Sequence, residues 1–199
     1  MPDACVPHPA VAAPSPWVAR FAGLIAPHGQ VLDLAAGHGR HARYLAFMGH
    51  VVHAVDRDPA ALASLRAIEG VTAVDADLEA GAWPFSGRRF DGIVVTNYLW
   101  RPLFPHLVAA LAEGGVLIYE TFGVGNESFG KPSNPQFLLR PGELLEVARV
   151  AGLATVAFES GVTVLPKPAV IERICARAPG AGGTPANLDG PGARQDARP

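Results

Sequence analysis

Short apolar runs at 31–34, 51–55, 71–74, 92–96, 116–121, 154–158 and 170–176 alternate with stretches of helical periodicity at 40–48, 59–68, 103–112 and 141–151. Runs of four to seven residues rich in Val, Ile and Leu read as strands buried on both faces, and the intervening amphipathic stretches as the crossovers that parallel strands require. Local signals agree. Asp58 precedes Pro59 as an N-cap before a helix whose first position tolerates proline, and Pro141 and Gly152 bracket the last helix in the favoured order. The final two runs are joined by 162–168, too few residues for a crossover helix, which predicts an antiparallel hairpin. The expectation is an α/β fold: an open, doubly wound, mostly parallel seven-stranded sheet closed by an antiparallel C-terminal hairpin.

Composition sets the boundaries. The chain has 199 residues, enough for one domain with a substantial core. Hydrophobic residues make up 49% and charged ones 17%, which excludes wholesale disorder. Many of the 22 glycines and 19 prolines fall at the two ends, with Pro2, Pro7, Pro9, Pro14 and Pro16 at one and the Gly- and Pro-rich stretch 179–199 at the other. Without apolar periodicity such segments bury too little to offset their ordering entropy. The division expected is a loose arm over 1–14, a globular unit over 15–178 and a disordered tail over 179–199. No apolar run approaches the roughly 18 residues of a membrane span, and the N-terminus lacks the basic-then-apolar order of a secretion signal. Cys5 and Cys175 make neither a disulfide framework nor a zinc spacing. A cytoplasmic protein is expected, and a net charge of −2 argues against a surface devoted to nucleic acid.

The chemistry concentrates where apolar runs end. Val31-Leu32-Asp33-Leu34 leads into Ala35-Ala36-Gly37-His38-Gly39 and then a helix, so two glycines permit close approach of a ligand to backbone N–H groups at a helix start. An ordinary tight turn is the competing reading. Asp56 ends the second run nineteen residues after Gly37, where a carboxylate accepts from both hydroxyls of a ribose; a solvated strand-end Asp is the alternative. Asp77 follows the third run, placed to accept from an adenine amino group with Leu78 against the ring, and Asn97-Tyr98-Leu99 closes the fourth. Open α/β sheets bind ligands at this carboxyl edge. Together these residues outline an adenosine-shaped site.

Gly37-His38-Gly39-Arg40-His41-Ala42 also fits the dinucleotide fingerprint G-x-G-x-x-A. Asp33 opposes that reading, because its charge near a pyrophosphate repels it but welcomes a cationic ligand. The stretch VLDLAAGHGRHARYLA resembles the first motif of the class I S-adenosylmethionine-dependent methyltransferases, and Asp56, Asp77-Leu78 and Asn97-Tyr98-Leu99 fall where that family's later motifs fall. The resemblance is greatest to the small single-domain members of tellurite-resistance type and covers about residues 29–122. It implies a Rossmann-like sheet, S-adenosylmethionine as cofactor, and methyl transfer by in-line displacement. It further implies that Gly37 and Gly39 pass under the methionine moiety, Asp33 lies near its ammonium group, and Asp56 holds the ribose with Arg57 beside it. Asp77 and Leu78 frame the adenine, and Asn97 faces the methionine. Ala35 stands where the motif has its first glycine, which implies a looser approach.

On the acceptor side, residues 122–140 form a connection without periodicity, and such lengths are usually functional. Glu120, just before it, and Asn126, Lys131 and Asn134 within it are the polar candidates, with Phe122, Phe129 and Phe137 as anchors; Tyr98 and Arg101 follow the fourth run. Tyr98, Glu120 and Asn126 are the candidate catalytic groups, and Tyr98, Arg101, Phe129, Lys131 and Asn134 the candidate acceptor contacts. No metal is expected, since His38 and His41 lack further ligands at a recognised spacing. The absence of G-K-[ST] after the glycines excludes a P-loop, and no G-x-S-x-G marks a hydrolase. Three functions remain open: methyl transfer to a small molecule, to RNA or protein, or a non-catalytic module that holds an adenosine cofactor.

Overall fold

The computed structural model describes residues 12–180. Most of the expected N-terminal arm, through residue 11, and most of the expected tail, from 181 onward, lie outside the described residues. The strands are β1 (Gln30–Leu34), β2 (Val51–Asp56), β3 (Val71–Asp75), β4 (Phe90–Thr96), β5 (Leu111–Phe122), β6 (Ala154–Thr163) and β7 (Ala169–Arg177). They form one sheet in the order β3-β2-β1-β4-β5-β7-β6. β1 to β5 pair in parallel, whereas β7 runs antiparallel to both β5 and β6, as the short connection required. Strand order reverses between β1 and its two neighbours, β2 and β4. Leu34 pairs with Val55 on one side and Val95 on the other, so the carboxyl ends of three strands are level at the switch point.

Period-two alternation divides the core. Leu32, Leu34, Ile93 and Val95 face the layer containing α4 (Phe104–Ala110) and α5 (Glu143–Val150). Val31, Val52, Ala54, Val94 and Ile118 face the other layer, with α2 (Arg40–Phe47) and α3 (Pro59–Ala63). Asp33 shares the parity of Val31 and therefore points beneath α2.

The helices differ most from expectation. The stretch expected over 59–68 is helical only to Ala63 and continues as turns, and the one expected from 103 begins after a 3-10 turn at Arg101–Leu103. α1 (Pro16–Phe21) has no counterpart among the expected elements. Ser15 is its N-cap, with Oγ accepting from the Trp17 N–H at 3.1 Å, Pro16 opens it, and Trp17, Val18 and Phe21 are buried. The Trp17 indole donates to the Ile174 carbonyl at 3.2 Å, which fixes α1 against β7. At the other end, the Gly114 N–H donates to the Pro179 carbonyl, so backbone pairing continues past residue 178.

Candidate active site

The turn after β1 has three residues in the left-handed region, Ala35 (φ 54°), Gly37 (φ 54°) and Gly39 (φ 72°). The two glycines are required for different reasons. A Cβ on Gly39 would overlap the Leu65 side chain, whereas above Gly37 the space is open and only the backbone conformation excludes a side chain.

Asp56 ties the turn to the second strand. Its Oδ2 accepts from the Gly37 N–H at 2.7 Å and its Oδ1 from the Asp58 N–H at 3.0 Å. Each carboxylate oxygen retains a second lone pair, so acceptance from two further hydroxyls is compatible with both bonds. Asp58 caps α3 through the Ala60 N–H at 2.9 Å, as expected. The Asp77 Oδ1 accepts from the N–H groups of Glu79 and Ala80, and these bonds, the largest influence on it, draw its carboxyl below the ordinary value. A cleft of about 170 Å³ at the switch point is lined by Ala35, Asp56, Arg57, Asp77, Leu78 and Tyr98, bringing together residues from the carboxyl ends of four strands.

Asp33 is buried at 1% exposure, with Oδ2 accepting from the Ala42 N–H at 2.9 Å in the first turn of α2. Burial raises its carboxyl to about 7, against the smaller lowering by that bond and by Arg40. A buried carboxyl poised near neutrality suits a cation more than a second anion. Asn97, exposed and left-handed at φ 55°, donates its backbone N–H to the Glu120 carbonyl at 2.9 Å.

The candidate catalytic groups have structural partners. The Glu120 carboxylate accepts from the Ser15 hydroxyl at 2.7 Å and pairs with Arg173 at 3.0 Å. Asn126 is buried, donating to the Pro132 carbonyl and accepting from the Val170 N–H, and so pins the long connection to β7. Tyr98 lines the cleft; burial, then the Glu79 and Asp77 carboxylates, push its phenol well above its ordinary value, so it is neutral at physiological pH. Of the acceptor candidates, Arg101 grips Glu143 at 2.6 and 2.8 Å and donates to the carbonyls of Gln136 and Leu138. Burial works to raise the Glu143 carboxyl, but Arg101 and Arg140 outweigh it and hold it at about 2. Phe129, Lys131 and Asn134 are exposed. None of these four lines the cleft.

Sequence reasoning missed a buried polar network beside the site. His41 is 2% exposed, its Nε2 accepts from the Ser15 N–H at 3.1 Å, and its Nδ1 lies 3.4 Å from the Thr96 hydroxyl. Burial, then the Arg40 charge, lowers its pKa to about 3, so the ring is neutral with its proton on Nδ1. The available signal was Ser15-Pro16 before an apolar i, i+4 pair, which marks a capped helix start. Among the described residues no three His, Cys, Asp or Glu side chains gather as a metal site.

Residues 31–115 match the family model described as a methyltransferase domain. The chain is 32% identical over 106 residues to a protein-L-isoaspartate O-methyltransferase of Chlorobaculum tepidum, an alignment covering 51% of this chain and 48% of the relative. It thus spans about half the length of that relative. Among solved structures, TehB from Haemophilus influenzae superposes with a TM-score of 0.66 at 20% identity, covering 79% of this chain and 59% of that one. The Burkholderia thailandensis 1,6-didemethyltoxoflavin-N1-methyltransferase, solved with 1,6-didemethyltoxoflavin and S-adenosylhomocysteine bound, gives 0.63 at 23% identity, covering 83% and 77%. The matched segment holds β1, the acid-pinned glycine turn and the switch point, so over residues 31–115 the chain carries the sequence pattern of a methyltransferase domain on the sheet those structures share.

Proposed function

We propose that this protein transfers a methyl group from S-adenosylmethionine to a small-molecule acceptor. The observation that carries this reading is the switch-point cleft, where Asp56 holds the Gly37 turn and Asp77, Leu78 and Arg57 complete the wall. The residues present fit the cofactor: an acid for the ribose, a half-buried Leu for the adenine face, and an open approach over Gly37. In this assignment Asp33 and Asn97 flank the methionine moiety, and Gly39 and Ala35 shape the turn beneath it. The sulfonium supplies an already activated methyl group, so the protein contributes mainly alignment and exclusion of water. A neutral Tyr98 bounds the site without serving as a ready base, and Glu120, engaged by Ser15 and Arg173, orders the rim of the acceptor side. Phe129, Lys131 and Asn134, exposed on the long connection, are proposed to meet the acceptor. Arg101 supports that connection from beneath.

A small acceptor is supported by the 1,6-didemethyltoxoflavin bound in the Burkholderia neighbour and by the balanced charge of this chain. No helix among the described residues is long and apolar enough to cross a membrane, and a cytoplasmic location belongs to the same proposal. Calorimetric titration with S-adenosylmethionine and S-adenosylhomocysteine, with NAD in parallel, tests the cofactor assignment. Binding of both sulfur compounds but not NAD is expected, and binding of NAD alone would overturn it. An acceptor screen by labelled methyl transfer follows; turnover only with RNA or protein would replace the small-molecule reading, and tight binding without turnover would favour a cofactor-holding module.

A further inference from the structure

A second cleft, of about 300 Å³, lies between the β3–β4 connection and α4 and carries an unusual combination of groups. Trp83 is half-buried and stacks on the exposed His106 ring, with centroids 5.4 Å apart and planes 18° from parallel. Phe85 meets the Trp83 indole edge-on at 5.3 Å and holds the platform from behind. Arg88 and Arg89 supply the charge.

The two arginines are not neutralised. Among the described residues, carboxylates pair with Arg20, Arg101, Arg140, Arg149 and Arg173, but none pairs with Arg88 or Arg89. The Arg88 guanidinium instead donates to the His53 ring at 2.8 Å and sits 5.5 Å over the Phe90 ring. Burial, followed by the Arg88 charge, lowers the His53 pKa, so the contact leaves the positive charge uncompensated. Arg88 is thereby held in place by a neutral ring and an aromatic face, its charge available to an outside anion. No Asp or Glu lines the cleft.

We propose that this cleft binds a nucleoside phosphate, with the base against the Trp83–His106 pair and the phosphate between Arg88 and Arg89. A flat aromatic platform beside paired guanidinium groups recognises a base and its phosphate together. Two sources share this chemistry: a free mononucleotide and a nucleotide within a single strand of RNA. Arg88 precedes the amino end of β4, and the cofactor edge lies at its carboxyl end about 20 Å away at strand spacing. The site is therefore an anchoring or regulatory position and not part of the methyl-transfer centre. It stands independently of the methyl-transfer reading.

The test is calorimetric titration of the full chain with uridine 5′-monophosphate, in saturating S-adenosylhomocysteine. Uridine avoids the adenine wall of the first cleft. Binding is expected to be roughly tenfold or more stronger for the nucleotide than for uridine, and to weaken by a similar factor in Arg89→Gln and in His106→Ala. Arg88→Gln should act likewise; because Arg88 also holds His53, Arg89→Gln and His106→Ala carry the result if that variant does not fold. An eight-residue oligouridine distinguishes the sources. Affinity more than about tenfold above the mononucleotide, with the same dependence on Arg89 and a steep loss with salt, identifies an RNA strand. Equal affinity identifies the free nucleotide. Absence of nucleotide binding, equal binding of uridine, or binding undiminished in both Arg89→Gln and His106→Ala would overturn the proposal.

Discussion

Replacing Asp33 with asparagine tests whether the glycine turn rests on a carboxyl that burial holds near neutrality. The Asp33→Asn variant keeps an oxygen to accept from the Ala42 N–H, so the substitution removes ionisation while retaining the bond. Asp33 is raised from 3.8 to about 7. The folded state therefore binds its proton more tightly than the unfolded chain does. This contribution is fully present below pH 3.8 and is lost progressively as pH rises toward 7. Between pH 5 and pH 8 the difference between the two titrations amounts to about 2.5 kcal/mol, an upper figure given the relaxation open to a buried charge. Urea unfolding of wild type and Asp33→Asn at several pH values isolates it, because every other titrating group cancels in the comparison. The stability of the variant relative to wild type should climb by about 1–2.5 kcal/mol from pH 5 to pH 8. Saturating S-adenosylhomocysteine, whose ammonium group favours the ionised carboxylate, should flatten that climb. A difference independent of pH in the free protein would refute the burial argument. A climb unaffected by ligand would refute the placement of the ammonium group.

Asp56→Ala should weaken S-adenosylhomocysteine binding by about 1.5–3 kcal/mol, roughly tenfold or more, and unchanged affinity by calorimetry would remove the ribose assignment. Gly39→Ala adds a Cβ into Leu65 at a left-handed position and should lower stability by about 1–3 kcal/mol in urea unfolding. Gly37→Ala, strained but unobstructed, should cost about 1 kcal/mol of stability while affecting ligand affinity more than Gly39→Ala does. Arg101→Met strands the buried Glu143 carboxylate and frees the carbonyls of Gln136 and Leu138. A loss of about 2–4 kcal/mol is expected, with faster amide exchange across 134–142, and a neutral effect would show that Arg140 suffices to hold Glu143.

The candidate site is legible in the sequence to the extent that its chemistry follows strand ends. Asp56, Asp77, Leu78 and Tyr98 stand out because each follows an apolar run, and parallel strands in a doubly wound sheet end at one edge. Glu120, near the carboxyl end of the fifth run, and Asn126, after it, stand at the same edge, yet their side chains are engaged by Ser15, Arg173, Pro132 and Val170. Nothing near either residue in the chain indicates those partners. Arg88-Arg89 reads in one dimension as a solvated turn; only the fold brings Trp83 and His106 beside it.

The sequence by itself determined the succession of strands and helices from β1 onward, the glycine turn and the antiparallel sense of the last pair, because propensity, capping and loop length act within a few residues. The tertiary structure decided the states of the polar groups. Asp33 is raised and His41 is neutral because strand parity and the packing of α1 and α2 remove them from water. Ser15 meets Glu120 across 105 residues because α1, capped by Ser15, docks against β7, which itself pairs with β5. Burial and long-range partnership depend on register and layer packing, and those are properties of the folded sheet as a whole.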